Sequence, residues 1–208
     1  MIRDYDDRDY PACEDLVGRT WRFAEHFHPS GFCAVAEYWY TRGSVVASNF
    51  KRVVESNGQV VGFLFGYNNR RPLDSGPARQ LVTGFAILTR LLLVRGMSLG
   101  AKFALLGMIN RHEVNRSEVE KRGASEINLF ALEQDFQRQG LGRRLVMQFL
   151  DDCKGHGAKR VIVEVNISQA SGFYEKCGFV KISEFISPLH EIAAGRGSLA
   201  ALYERNLA

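Results

Sequence analysis

The chain has 208 residues and a mass of 23.4 kDa, a length that fits one domain or two small ones and lets roughly 70% of the unfolded surface be buried without staples. Hydrophobic residues make up 46%, charged residues 24% and aromatic residues 11%, which excludes a disordered, collagenous or coiled-coil chain. Lys and Arg number 27 against 23 Asp and Glu, and the net +4 is scattered, densest at Arg70–Arg71 and from Arg138 to Arg144; this argues against a nucleic-acid partner and leaves room for a local anion site.

The opening MIRDY alternates as a short strand, and Ala12 to Phe27 places Leu16, Trp21, Phe23 and Phe27 as on a helix. Pro29, Ser30 and Gly31 break the chain before a short helical or irregular stretch from Phe32 to Tyr40. FKRVVES and QVVGFLFGY, joined by Asn57-Gly58, predict a hairpin, because that dipeptide accepts positive φ. A loop over Asn68 to Pro77 precedes one long helix or a helical pair between Leu81 and Lys121, with Leu99, Phe103, Leu106 and Met108 or Ile109 on an apolar stripe. Strand SEINLFALE, turn QRQGLG, helix RRLVMQFLDDCKGHG and strand KRVIVEV then make a βαβ-like core, followed by a short helix from Ser168 to Cys177, a strand from Phe179 to Phe185, and a last strand in SLAALYERNL.

The acidic start MIRDYDDRDYPACEDL lacks the apolar run of a secretory leader, and Arg90, Arg95 and Lys102 interrupt the apolar region from Leu81 to Ile109. Cys13, Cys33, Cys153 and Cys177 are far apart and form no C-x-x-C pair. A cytoplasmic protein with reduced thiols and no membrane partner is expected. His26 and His28 stand as H-x-H without a nearby third ligand, so no metal is expected there. Cys177 has no adjacent His to lower its thiol pKa and reads as a small core residue.

The turn Gln137-Arg138-Gln139-Gly140-Leu141-Gly142-Arg143 follows a strand and opens a helix. Glycines there free backbone N–H groups to face a ligand, and the helix N-terminus adds its orphan donors and positive dipole end, which suits a phosphate or diphosphate. A tight strand-to-helix connection accounts for the same glycines. A Walker loop is excluded by the missing Lys-Ser/Thr end, and a dinucleotide fingerprint by Leu145 where a third glycine would stand.

With these residues in place, the chain resembles the GCN5-related N-acetyltransferase (GNAT) superfamily. Its acetyl-CoA signature, Gln/Arg-x-x-Gly-x-Gly/Ala, stands as Q137-R-Q-G140-L-G142, and its second signature as A170-S-G-F173-Y174-E175-K176-C-G178-F179. The match covers Glu126 to Ile182. The resemblance implies an α/β fold: a mixed, largely antiparallel twisted sheet flanked by helices, splayed at the central strands near Leu132. It implies one domain over 1–208, with a helical insertion over about 71–123 and a cofactor-binding core over about 125–182.

The same resemblance implies transfer of an acetyl group from acetyl-CoA to a primary amine of a small molecule or peptide, without a metal. The backbone at Leu132 and Gln134 would pair with the pantetheine arm, and Gln137, Arg138, Gln139, Gly140, Leu141, Gly142 and Arg143 would hold the diphosphate, with Arg144 a further cation. Tyr174 occupies the general-acid position that protonates the departing thiolate, a task a phenol can perform without carrying charge near sulfur. Glu126 aligns with the family's basic glutamate and shares a face with Leu132 if no bulge intervenes; Glu133 or a water chain are the other bases. Asn166 stands one place early for the family's asparagine and reads equally as a cofactor contact or a turn cap. The insertion would shape the acceptor pocket or support a homodimer. A non-catalytic acyl-CoA-binding regulatory module is the competing function.

Overall fold

The computed structural model describes residues 1–119, 123–189, 191 and 199–207, the side chains of 118, 119 and 167–171 excepted. Its strands are β1 (Ile2–Asp4), β2 (Phe50–Ser56), β3 (Gln59–Tyr67), β4 (Ser125–Leu132), β5 (Arg160–Asn166), β6 (Val180–Ile186) and β7 (Leu199–Asn206). They form one mixed sheet in the order β1-β2-β3-β4-β5-β7-β6, in which β4 and β5 are the parallel pair and every other pair is antiparallel. The β2–β3 hairpin turns on Asn57 at φ 51° and Gly58 at φ 76°, the positive-φ pair that matches the twist of the flanking strands.

The helices are α1 (Tyr10–Thr20), α2 (Phe23–His26), α3 (Ser30–Val46), α4 (Pro77–Leu93), α5 (Leu99–Val119), α6 (Leu141–Gly155) and α7 (Ile167–Lys176). On one face of the sheet α6 and α7 bury Leu145, Val146, Phe149 and Tyr174 against Leu64, Leu132 and Val163. On the other, α1 to α5 bury Leu16, Phe23, Val35, Leu91 and Leu105 against Phe63, Phe65, Leu129 and Ala131. No helix among the described residues is long and apolar enough to cross a membrane.

Three expectations change. The helix expected over Ala12 to Phe27 is interrupted by Arg22 in the left-handed conformation, φ 52°, giving α1 and α2. The stretch expected from Phe32 to Tyr40 is the 17-residue α3, which runs on to Val46. In α5 the predicted apolar stripe is buried only in part: Leu106 and Ile109 pack against the core, Leu99 and Phe103 are exposed, and Lys102, Leu105 and His112 point inward. Lys102 is held there because its Nζ donates to the carbonyls of Leu92 at 2.6 Å and Val94 at 2.9 Å, neutralising the C-terminal end of α4.

Candidate active site

The sheet parts at its middle. β4 pairs with β5 only at Ser125, Glu126 and Ile127, so Asn128 to Leu132 have β3 along one edge and, among the described residues, no paired strand along the other. The phase of the β3 ladder decides where their backbone groups point. Glu133 N–H donates to the Val61 carbonyl at 2.9 Å, so Glu133 and Ala131 face β3, and Phe130 and Leu132 turn their N–H and C=O groups into the cleft. The Leu132 carbonyl accepts from the Gln137 side chain at 3.1 Å, which ties the strand end to the following turn. Phe130 joins the backbone donors without any sequence signal, because ladder phase is set by the partner strand.

Beyond the cleft lies the turn into α6. Gln134 opens a 3-10 turn (Gln134–Phe136), and the Gln139 side chain donates to the Asp135 carbonyl at 2.8 Å. Arg138 at φ 60° and Gly140 at φ 79° bend the chain so that α6 starts at Leu141. The six N–H groups from Arg138 to Arg143 donate to no described residue, whereas Arg144 N–H closes the first helical bond to Gly140 at 3.0 Å. Arg138, Arg143 and Arg144 are exposed and form no ion pair with a described residue. The result is a run of aimed backbone donors at the positive end of a 15-residue helix, edged by guanidinium groups. The two glycines divide the work. A Cβ on Gly140 would meet nothing within 4 Å, so its role is conformational; one on Gly142 would lie 3.1 Å from Phe130 and 3.3 Å from Phe173, so Gly142 admits the close approach of α6 to those rings.

Phe130 stacks on Phe173, with ring centroids 5.4 Å apart, and Tyr174 packs edge-on between Phe173 and Phe179. This aromatic chain fixes the direction of Tyr174 from β4 to the start of β6. Tyr174 is 5% exposed, burial raises its phenol pKa, and its hydroxyl makes no hydrogen bond with a described residue. Asn166 ends β5 opposite Ala200, immediately before α7. Ala170 lies among the residues whose side chains are not described.

Glu126 stands on the opposite side of the sheet from Leu132. Gly66 pairs with Ile127 while Phe65 pairs with Leu129, leaving Asn128 as an extra residue; this bulge reverses the alternation, so the shared face expected for Glu126 and Leu132 does not occur. Asn128 is anchored by donating to the Ala47 carbonyl at 3.1 Å and to Ser48 Oγ at 2.8 Å, at the end of α3. Glu126 and Asn128 line a pocket of about 470 Å³ walled by Trp39 from α3, Tyr67 from β3, and Gln80 and Ile87 from α4.

Sequence reasoning missed what holds Glu126. Arg116, on α5, donates to Glu126 Oε1 and places its Nε 3.5 Å from Glu164 of β5. His112, one turn earlier, sits 3.6 Å from Glu164 and 2.9 Å from Ser187 Oγ; burial, with the Arg116 charge, lowers its pKa to about 4. Glu133 is paired with Arg19 at 2.8 Å instead. The one local signal for this cluster was Glu164, a lone carboxylate among the valines of β5.

All four cysteines are free and buried, and burial raises the Cys177 thiol pKa. No group of three His, Cys, Asp or Glu side chains among the described residues is placed to hold a metal ion, His26 and His28 included.

Comparison with known proteins bears on this geometry. A family model described as "Acetyltransferase (GNAT) domain" matches residues 101–187. No curated protein matches the chain. Among solved structures, SsHAT superposes with a TM-score of 0.63 at 20% identity, covering 100% of this chain and 98% of that one. An N-acetyltransferase from Staphylococcus aureus Mu50 gives 0.58 at 14% identity, covering 99% and 100%. An aminoglycoside 6'-N-acetyltransferase complexed with coenzyme A gives 0.56 at 11% identity, covering 100% and 97%. The family model and these superpositions agree with the parted sheet and the α6 turn: the chain has the fold of the GNAT acetyltransferase superfamily.

Proposed function

We propose that residues 1–208 form one N-acetyltransferase domain that moves the acetyl group of acetyl-CoA to a primary amine. The observation that carries this reading is the run of N–H groups from Arg138 to Arg143 with no acceptor among the described residues, set at the mouth of a cleft into which Phe130 and Leu132 direct two more. Such donors suit a diphosphate at the helix end and an amide-bearing arm lying along β4 as an added strand. Arg138, Arg143 and Arg144 supply charge, Gln137 holds the strand end, and Gln134, Gln139, Leu141 and Asn166 border the path.

In this reading the amine enters through the pocket beside Glu126. An ammonium has no lone pair, so Glu126, oriented by its bond to Arg116, takes its proton directly or through water. The amine nitrogen then bonds to the thioester carbon, and the oxyanion forms against the cleft-facing N–H groups. As the carbon–sulfur bond breaks, Tyr174 gives its proton to the thiolate, and the nitrogen's remaining extra proton leaves through water to restore the phenol; burial keeps the phenol protonated until the bond breaks. Holding thioester and amine in line is the main catalytic contribution, since well-oriented reactants reach effective molarities of about 10⁵–10⁸ M.

Titration of the protein with acetyl-CoA by calorimetry tests the cofactor half: saturable binding is expected, and its absence up to millimolar cofactor would defeat the reading. Thiol release from acetyl-CoA with a panel of amines tests the catalytic half. A non-catalytic acyl-CoA module would bind without turnover.

A further inference from the structure

Helix α4 shows its own core one side and leaves an apolar seam on the other. Thr83 and Leu91 are buried inward, while Leu81, Phe85, Leu88 and Leu92 are 75%, 72%, 40% and 46% exposed. Their spacing of four, three and four residues is that of positions d, a, d and a in a helix that packs against another helix. The elbow into α5, pinned by Lys102, adds Leu99 and Phe103, themselves 64% and 66% exposed. With Val82 and Leu93, 67% and 73% exposed beside that row, the apolar side chains of α4 alone expose on the order of 700 Å², close to the ~800 Å² that each partner gives to a standard protein interface and beyond the few hundred Å² usual for a monomer.

We infer that this seam is the contact surface of a symmetric dimer, its occupant being α4 of a second copy of the chain. Charge placement selects that occupant. No charged residue lies between Arg79 and Arg90, so two copies of the seam meet without like charges opposed. Arg90, two residues from both Leu88 and Leu92, points about 200° round the helix from each and lies 3.9 Å from the Tyr38 ring centroid; Arg79 is 3.7 Å from Asp7. A two-fold axis between Phe85 and Leu88 packs the helices antiparallel, with Leu81 against Leu92 and Phe85 against Leu88 across the axis, the self-complementary contact that two-fold symmetry requires.

Sedimentation velocity on the full chain at about 100 µM, which populates any association with a Kd tighter than that, should give twice the 23.4 kDa protomer mass. Phe85→Asp and Leu81→Asp should each sediment as monomers with unchanged far-UV circular dichroism. A Phe85→Cys/Leu88→Cys double variant should form a covalent dimer on mild oxidation, which the four native cysteines, all buried, do not confuse. A monomeric wild type at that concentration overturns the inference, as does a dimer that persists in folded Phe85→Asp or a double variant that does not cross-link. So does a monomeric wild type that sediments with phosphatidylglycerol vesicles and loses this with Phe85→Asp, an outcome that assigns the face to lipid.

Discussion

Replacing Tyr174 with Phe separates chemistry from folding with unusual clarity. The residue is 5% exposed and its hydroxyl makes no hydrogen bond with a described residue, while the ring packs between Phe173 and Phe179 at centroid distances of 5.1 and 5.6 Å. Tyr174→Phe therefore keeps every ring contact and breaks no hydrogen bond with a described residue, so stability should move by less than about 1 kcal/mol. The midpoint of urea unfolding should shift little. Catalysis should suffer: a general acid contributes ~10²–10⁴ in rate, about 3–5 kcal/mol of barrier. Single-turnover thiol release, measured with the best amine of a panel, should fall by that factor while the acetyl-CoA Kd changes less than threefold. Unchanged single-turnover rates would remove Tyr174 as the acid, and a marked loss of stability would show that its hydroxyl is a structural group.

Glu126→Gln keeps an oxygen for Arg116 to bond, so stability should move by less than ~1 kcal/mol while turnover falls about a hundredfold; unaltered turnover across the pH range would shift the base to water. Arg116→Ala removes the guanidinium that bonds Glu126 and lies 3.5 Å from Glu164, and urea unfolding should show a loss of about 2 kcal/mol, below the 3–5 of a fully buried pair because these side chains are 16–21% exposed; a neutral result would mean that these ion pairs add little to stability. Gly142→Ala should cost ~1–3 kcal/mol through overpacking against Phe130 and Phe173, whereas Gly140→Ala should cost ~1–2 kcal/mol through its left-handed backbone. Only the first should alter the near-ultraviolet circular dichroism of the Phe130–Phe173 stack. His112 has a folded pKa of about 4 against 6.5 unfolded, so between those values the unfolded chain binds the extra proton. Its contribution is complete above pH 6.5 and is lost as pH falls toward 4. The melting temperature of His112→Asn should decline less over that window than that of the wild type, and parallel declines would contradict the assignment.

The parts legible in the sequence are those encoded locally. Asn57-Gly58 fixes a hairpin because two adjacent residues must take positive φ; Gly140 fixes the entry to α6 for the same reason. The strand–turn–helix–strand order around them, with its two signature motifs, carried the parallel β4–β5 pair and the parted sheet. What escaped depends on distant partners. The inward face of α5 bears Lys102 and His112, polar residues buried because α4 carbonyls and Glu164 receive them, so the apolar stripe placed Leu106 and Ile109 on the core side but not Leu99 and Phe103. Glu126 changed sides because Asn128 bulges to reach the end of α3, a contact 80 residues away in sequence. Arg116 meets Glu126 and Glu164 only once β4, β5 and α5 are assembled, and no spacing within any one element announces it.

Hydrogen exchange of the backbone amides, resolved by NMR with and without saturating acetyl-CoA, tests the central claim most directly. The account predicts that Arg138 to Arg143, Phe130 and Leu132 exchange freely in the unliganded protein and slow together when acetyl-CoA binds. Tight binding that leaves these amides exchanging as before, or that protects a different stretch of the chain, would contradict it.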